Sequence, residues 1–223
     1  MLSATAIETV FERLAESHPP PKPVATDLGV KIRRTPFQSL VATVLSAQSR
    51  DAMTRKAADQ LFAVAKTPED LVKLDEAEIA SLIKPCGLYN AKARNLKRLA
   101  RALIDDHDGQ VPKTRSELMK IPGVGRKVTD IMLRFVYGEP VVAVDTHVNR
   151  VARRLGLSAG KTEAKVAADL DEKIPQDFKM GAHMWLLNHG KRFCRSRAPR
   201  CADCPLNDLC ERNGVSAQTL RNA

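Results

Sequence analysis

Apolar residues recur along most of this chain at the spacing of one helical face, and clusters of proline, glycine and polar residues separate the periodic segments. Residues 7–14 read as a short amphipathic helix. The proline-rich residues 19–23 break it, and the polar stretch to Arg34 reads as a linker. Thr35-Pro36 is a helix start, with a capping hydroxyl and proline at the first helical position. Phe37, Leu40, Val41, Val44 and Leu45 give that helix a buried stripe. Asp51, Thr67 and Asp75 are caps for the next three helices. Residues 85–87 form a break, and a long helix follows to about Asp106. Thr114 starts another, and two more are expected near residues 163–174 and 180–192. No run alternates at strand spacing and no segment repeats, so the fold class is all-α.

One stretch, LMKIPGVGRKVTDIMLRFVYGEPVVAVDTHVNR at 118–150, organises the rest. A short helix breaks at Pro122-Gly123-Val124-Gly125 and a longer one restarts, with Val128, Ile131, Met132 and Phe135 on one face. Two glycines around a valine allow a tight turn with positive φ. The amides of that turn and of the helix it opens have no intrahelical partner, which makes an anion site. Lys127 stands beside it, in the first turn. The helix from Lys127 to about Tyr137 spans about 16 Å at about 1.5 Å per residue. Gly138-Glu139-Pro140 stops it. Residues 139–145 can then return roughly 23 Å at about 3.3 Å per residue, through the apolar residues 141–144. Asp145 can thus lie near Lys127, where it opens a helix whose Val148, Val151, Ala152 and Leu155 share a face. Taken singly, Lys127 also fits a plain phosphate contact and Asp145 a plain helix cap.

Charge narrows the partners. The 223 residues carry a formal net charge of +10 with a sequence pI near 9.6, which suits a polyanion. An apolar fraction of 43% suffices for a real core. No apolar run reaches membrane-spanning length, and residues 1–10 lack the charged-then-apolar order of a signal peptide. Of five cysteines, four crowd the C-terminal part, which is not a secreted disulfide framework. Cys194, Cys201, Cys204 and Cys210 are spaced C-x6-C-x2-C-x5-C. Four thiolates in 17 residues can surround one metal centre. Spacing alone leaves two candidates open. Structural zinc favours two close pairs, and only Cys201 and Cys204 form one. A 4Fe–4S cube takes one thiolate per corner. Cys86 stands apart as a buried thiol. Arg195, Arg197 and Arg200 lie between the first two ligands, so a closed loop would gather them against phosphates. Without such closure they form a solvated charged loop.

IPGVGRK at 121–127 followed by VDTH at 144–147 resembles the signature of the helix-hairpin-helix DNA glycosylases. VLSAQSRD at 44–51, GLYNAKA at 87–93, the tryptophan-to-glycine stretch at 185–190 and the cysteines after it resemble further motifs of the iron–sulfur, endonuclease III branch. The likeness extends over nearly the whole chain, with departures at Arg50, where threonine is expected, and at Ala198, where some members carry lysine.

The resemblance implies two helical lobes with a DNA-binding cleft between them. One is a helical barrel with the hairpin at 29–139, and the other joins 1–28 with 140–223. It implies that the four cysteines hold a 4Fe–4S cluster that is not the reactive centre. It implies base excision repair, with removal of oxidised pyrimidines from damaged double-stranded DNA and cleavage 3′ to the abasic site. Lys127 would be the nucleophile and Asp145 its carboxylate partner. Gln48 and Leu88 would fill the hole left by an extruded nucleotide, although Leu88 alone also reads as core. Gly123, Val124, Gly125, Arg126, Lys191 and the three loop arginines would meet the DNA backbone. A cytoplasmic, nucleoid-associated bacterial monomer is expected.

Three rivals separate on sequence features. A non-catalytic DNA-binding module has no use for the Lys127–Asp145 combination. The iron–sulfur adenine glycosylase lacks a lysine at this hairpin position and carries a further C-terminal domain. A redox sensor leaves everything but the cysteines unexplained.

Overall fold

The computed structural model describes residues 1–18 and 34–215. The proline-rich break at 19–23 and the linker as far as residue 33 lie outside them. The described residues form eleven α-helices and no strand, and the chain divides into two compact units, Lys31–Gly138 and Met1–Val30 with Glu139–Ala223.

The Lys31–Gly138 unit holds α2 (Pro36–Ser46), α3 (Asp51–Val64), α4 (Pro68–Lys73), α5 (Glu76–Leu82), α6 (Tyr89–His107), α7 (Arg115–Leu118) and α8 (Arg126–Phe135). The starts are set locally. Thr35 and Gln38 exchange side-chain and backbone bonds in a capping box, as do Thr67 with Asp70 and Asp75 with Glu78. Each such cap contributes about 1 kcal/mol. Asp51, expected as a cap, is instead the first helical residue of α3, and Arg50 occupies the cap position without a side-chain bond. A carboxylate in the first turn serves the helix dipole as well. All five stripe residues expected of α2 are buried. α6 packs on α2, α4 and α5, and its Leu96, Leu99 and Leu103 are fully buried.

α8 departs from its expected face and length. Val128 and Met132 are buried as the periodicity predicts, but Ile131 and Phe135 are only half-buried, while Thr129, Asp130 and Leu133 go inside. The face turns because Asp130 has cationic partners, described below. The helix ends at Phe135, two residues short of expectation. The amides of Val136 and Tyr137 both return to the Met132 carbonyl, and the Tyr137 hydroxyl donates to the Val111 carbonyl at 2.9 Å.

The second unit holds α1 (Ala4–Ser17), α9 (Thr146–Leu155), α10 (Glu163–Lys173) and α11 (Gln176–Arg192). Its core joins Phe11 and Leu14 of α1 to Val148, Val151, Ala152 and Leu155 of α9 and to Ala182 and Leu186 of α11. The stripe expected of α9 is buried throughout. Residues 141–144 are not helical; Val142, Ala143 and Val144 are buried, and His183 Nδ1 bonds the Ala143 carbonyl at 2.8 Å. α11 starts four residues before the expected Met180. Its first turn is anchored by Phe178, which stacks on Phe11 at 5.9 Å and meets Trp185 edge-on. Gly190 lets α9 and α11 approach closely, since a Cβ there would lie 3.1 Å from His147 Cβ and Val151 Cγ2.

Candidate active site and nucleic-acid interface

α7 is capped by Thr114, and turn bonds from Ile121 to the Leu118 carbonyl and from Val124 to the Ile121 carbonyl carry the chain around the hairpin. Gly123 has φ of +80°, a conformation costly for any residue with a Cβ, and its Cα faces Asn95 of α6. Val124 is 5% exposed and plugs the turn into the core. Gly125 is the N-cap of α8 and offers no side-chain bond to the first amides. Thr129 is the first to return an amide to this cap, so the amides of Arg126, Lys127 and Val128 have no intrahelical acceptor. Gly123, Gly125 and Lys127 are exposed. An uncapped helix start with a lysine in its first turn suits a phosphate or another anion.

Asp130 holds this hairpin rigid. It is 1% exposed and pairs with Arg115 of α7 and, at 2.9 Å, with Nε of Arg126. A buried carboxylate needs such partners, and here they tie both helices of the hairpin together. Arg126, expected as a DNA contact, therefore spends its Nε inside the hairpin.

Two further tips of the same unit are exposed. Gln48 has φ of +52° and Leu88 has φ of +58°, left-handed conformations unusual for residues other than glycine. Leu88 is 62% exposed at the cap of α6, which removes it from the core. A Cβ on Gly87 would lie 3.6 Å from the Gln48 carbonyl, so the two tips abut.

In the second unit, Asp145 is the N-cap of α9. It is half-buried, and its Oδ1 accepts from the Val148 amide at 2.8 Å. That bond fixes one carboxylate oxygen and leaves Oδ2 outside it. Further along α9, Arg150 and Arg154 reach the last turn of α11 and the segment after it. Arg150 donates to the Gly190 and Cys194 carbonyls at 3.0 and 2.9 Å. Arg154 donates to the Arg195 and Ser196 carbonyls at 2.6 and 3.2 Å.

Cys194, Cys201, Cys204 and Cys210 are each half-buried and line one cavity of about 20 Å³ with Arg154, Leu155, His189 and Phe193. Burial pushes the Cys204 thiol up to about 11 and raises Cys210, with the neighbouring cysteines adding to both. Such thiols need a bound cation to become thiolates. Polar groups already address the sulfurs. Arg154 Nη1 is 3.7 Å from Cys194, His189 Nε2 3.6 Å from Cys204, and the Arg212 amide 3.4 Å from Cys210. Among the described residues no three His, Cys, Asp or Glu side chains converge on a single-ion position. The four cysteines line the wall of that one cavity.

The HhH-GPD superfamily model of base excision DNA repair proteins matches residues 41–176. The chain is 40% identical over 202 residues to endonuclease III of Escherichia coli K12, covering 91% of this chain and 93% of that one. It is 41% identical to endonuclease III of Haemophilus influenzae over the same shares. The chain belongs to the endonuclease III family. Among solved structures, a non-covalent endonuclease III–DNA complex superposes with a TM-score of 0.85 at 36% identity, covering 95% of this chain and 97% of that one. A trapped endonuclease III–DNA covalent intermediate gives 0.84 at the same identity and coverage.

As an endonuclease III family member, the chain is a base excision DNA repair enzyme, a DNA glycosylase and AP lyase by class. Its candidate residues fall into two sets. Gln48, Leu88, Gly123, Val124, Gly125, Arg126 and Lys127 belong to the Lys31–Gly138 unit. Asp145, Lys191, Arg195, Arg197, Arg200 and the four cysteines belong to the other. Lys191 and the three loop arginines are exposed, and Arg200 pairs with Asp203 at 2.7 Å. Among the described residues no helix is long and apolar enough to cross a membrane. Sequence reasoning missed Asp130, Arg150 and Arg154. The i,i+4 spacing of Arg126 with Asp130 and of Arg150 with Arg154 was the available signal.

Proposed function

We propose that this enzyme removes oxidised pyrimidines from duplex DNA and cleaves 3′ to the resulting abasic site through a Schiff base on Lys127. The observation that carries the reading is the exposed Lys127 beside the uncapped amides of α8, after the Gly123 turn. The amides suit a phosphate beside an extruded nucleotide, and the lysine then lies next to the sugar of that nucleotide.

The Lys127 amine, with its proton removed, attacks C1′ with its lone pair. The C1′–N bond breaks, and the base leaves with the bonding electrons and takes up a proton. Loss of a proton from the lysine nitrogen and opening of the ring give the imine. The imine acidifies C2′; removal of that proton forms the C1′–C2′ enamine, and the C3′–O bond breaks with the 3′ phosphate as leaving group. Hydrolysis frees Lys127. Asp145, its carboxylate fixed by the Val148 amide, stabilises the positive charge that develops on the sugar and helps deprotonate Lys127. Fixing the carboxylate through one oxygen leaves the other for this role.

Cys194, Cys201, Cys204 and Cys210 would hold a 4Fe–4S cluster. Their spacing, with only Cys201 and Cys204 as a close pair, supports that assignment over a single zinc ion, and all four line one cavity. When bound, the cluster cross-links the loop that carries Arg195, Arg197 and Arg200; these arginines and Lys191 then meet phosphates. We place Gln48 and Leu88 in the gap left by the extruded nucleotide, where glutamine bonds the orphaned base and leucine wedges the stack. The division of labour proposed is a monomer with a helical lobe at 29–139 and a cluster lobe made of 1–28 and 140–223, acting in the bacterial cytoplasm on nucleoid DNA.

A panel of duplexes, each with one oxidised pyrimidine, oxidised purine or mismatch, tests the reading. Strand cleavage confined to oxidised pyrimidines, with a 3′ unsaturated aldehyde end, is expected. Cleavage restricted to another lesion class would overturn it.

A further inference from the structure

Lys92 is the feature of the Lys31–Gly138 unit that the proposed chemistry leaves unused. It is a lysine only 7% exposed, and no carboxylate among the described residues pairs with it. Its ammonium donates to the Leu45 carbonyl at 2.9 Å and to the Ser49 hydroxyl at 2.8 Å. Burial lowers its pKa from the usual lysine range. A buried cation held by neutral oxygens is costly, and it persists where the surroundings fix it.

The geometry around it is specific. Leu45 lies in the last turn of α2, whose terminal carbonyls need donors and carry the negative end of the helix dipole. Leu45 and Ser49 flank Gln48 on its two sides. The backbone amide of Lys92 donates to the Leu88 carbonyl at 3.0 Å. One residue therefore bonds both sides of the Gln48 tip through its side chain and the Leu88 tip through its backbone. Both tips have left-handed backbones, which are costly for residues with a Cβ and persist only when over-determined by their surroundings. The tips themselves abut, at Gly87 against the Gln48 carbonyl.

We propose that Lys92 is a positioning residue that locks the Gln48 and Leu88 tips to each other, so that both enter the duplex as one preformed wedge. This rests on the reading that those tips fill the gap left by the extruded nucleotide. Without the lock, each tip relaxes to an ordinary backbone conformation and binding must first restore the pair. The cost then falls on nucleotide extrusion and not on phosphate contact or on the chemistry at Lys127.

The variant Lys92→Met keeps the apolar stem and removes the ammonium; Ser49→Ala removes only one acceptor. In single turnover on a lesion duplex, Lys92→Met should slow base release by about tenfold or more, since displacements near 1 Å can cost about 100-fold. Ser49→Ala should slow it less, and the two together should not add. The fluorescence of 2-aminopurine opposite an abasic analogue should rise less than with the wild type. Cleavage of a preformed abasic site in a single strand needs no wedge and should stay within about twofold, as should affinity for undamaged duplex. Thermal melting checks the fold, and if Lys92→Met does not fold, Lys92→Gln and Ser49→Ala carry the same measurements. The double variant Gln48→Ala/Leu88→Ala separates the two layers. If it slows base release while folded Lys92 variants do not, the lock is refuted and the wedge stands. If it leaves base release unchanged, the wedge reading fails and the lock with it. Equal loss on duplex and single strand in Lys92→Met would reduce the residue to a general structural role and overturn the proposal.

Discussion

Replacing Arg195, Arg197 and Arg200 together by alanine should weaken DNA binding in a way that salt concentration reveals. Backbone hydrogen bonds shape the loop that carries them. The amides of Arg195 and Arg200 both return to the Phe193 carbonyl at 2.9 Å, which closes the loop at its base. Arg154 pins the Arg195 and Ser196 carbonyls. All three residues are exposed. Each phosphate contact contributes about 0.9 to the slope of log K against log salt on duplex DNA. Arg200 must share its guanidinium with Asp203, so it contributes at most that amount. The slope should flatten by about 1.8 if two arginines make contact and about 2.7 if all three do. The wild type should then lose roughly 10- to 40-fold more affinity than the variant between 50 and 200 mM salt, values set by that change in slope. Fluorescence anisotropy across a salt series, on damaged and undamaged duplexes, reads the effect. The loss should be equal on both, because phosphate contacts carry no lesion information. An unchanged slope in a variant that keeps its metal content would show that the loop does not touch DNA, and would leave the hairpin and Lys191 to carry the charge.

Three other outcomes follow from the geometry. Asp145→Asn should slow base release by at least about 100-fold with little change in stability, since asparagine also caps helices; turnover within a few-fold of wild type would make Asp145 only a cap. The purified protein should be yellow-brown and contain about four irons per chain, whereas metal analysis showing one zinc and no iron would refute the cluster. Phe11→Ala should destabilise the cysteine-bearing unit by about 3–5 kcal/mol in urea melts, because Phe11 is fully buried and stacks on Phe178; a loss under about 1 kcal/mol would mean that α1 does not anchor that core.

What could be read from the sequence was what depends on near neighbours. The stripes of α2 and α9 and the caps at Thr35, Thr67, Asp75, Thr114 and Asp145 are set within one or two turns. The hairpin was legible because glycine at 123 has a backbone reason to be there. Asp51 misled because the first turn of a helix welcomes a carboxylate as readily as the cap does. The face of α8 misled because Asp130 draws Arg115 from a separate helix 15 residues earlier, and periodicity does not register a polar residue neutralised at a distance. Lys92 sits in the polar-looking run Asn90 to Asn95, and its acceptor Leu45 lies 47 residues away. Arg150 and Arg154 resemble a solvated helix face until the segment 40 residues later folds back onto them. The spacing of the four cysteines showed that they could meet, and the structure adds that they line one cavity with His189 and Arg154.

The identity of the nucleophile is the central claim, and covalent trapping tests it most directly. Incubation with an oxidised-pyrimidine duplex and borohydride should reduce the Schiff base to a stable protein–DNA adduct. Peptide mass mapping should place that adduct on Lys127, and Lys127→Gln should bind the duplex with near-normal affinity and give no adduct. An adduct of normal yield in Lys127→Gln, or one mapped to another amine, would contradict the account.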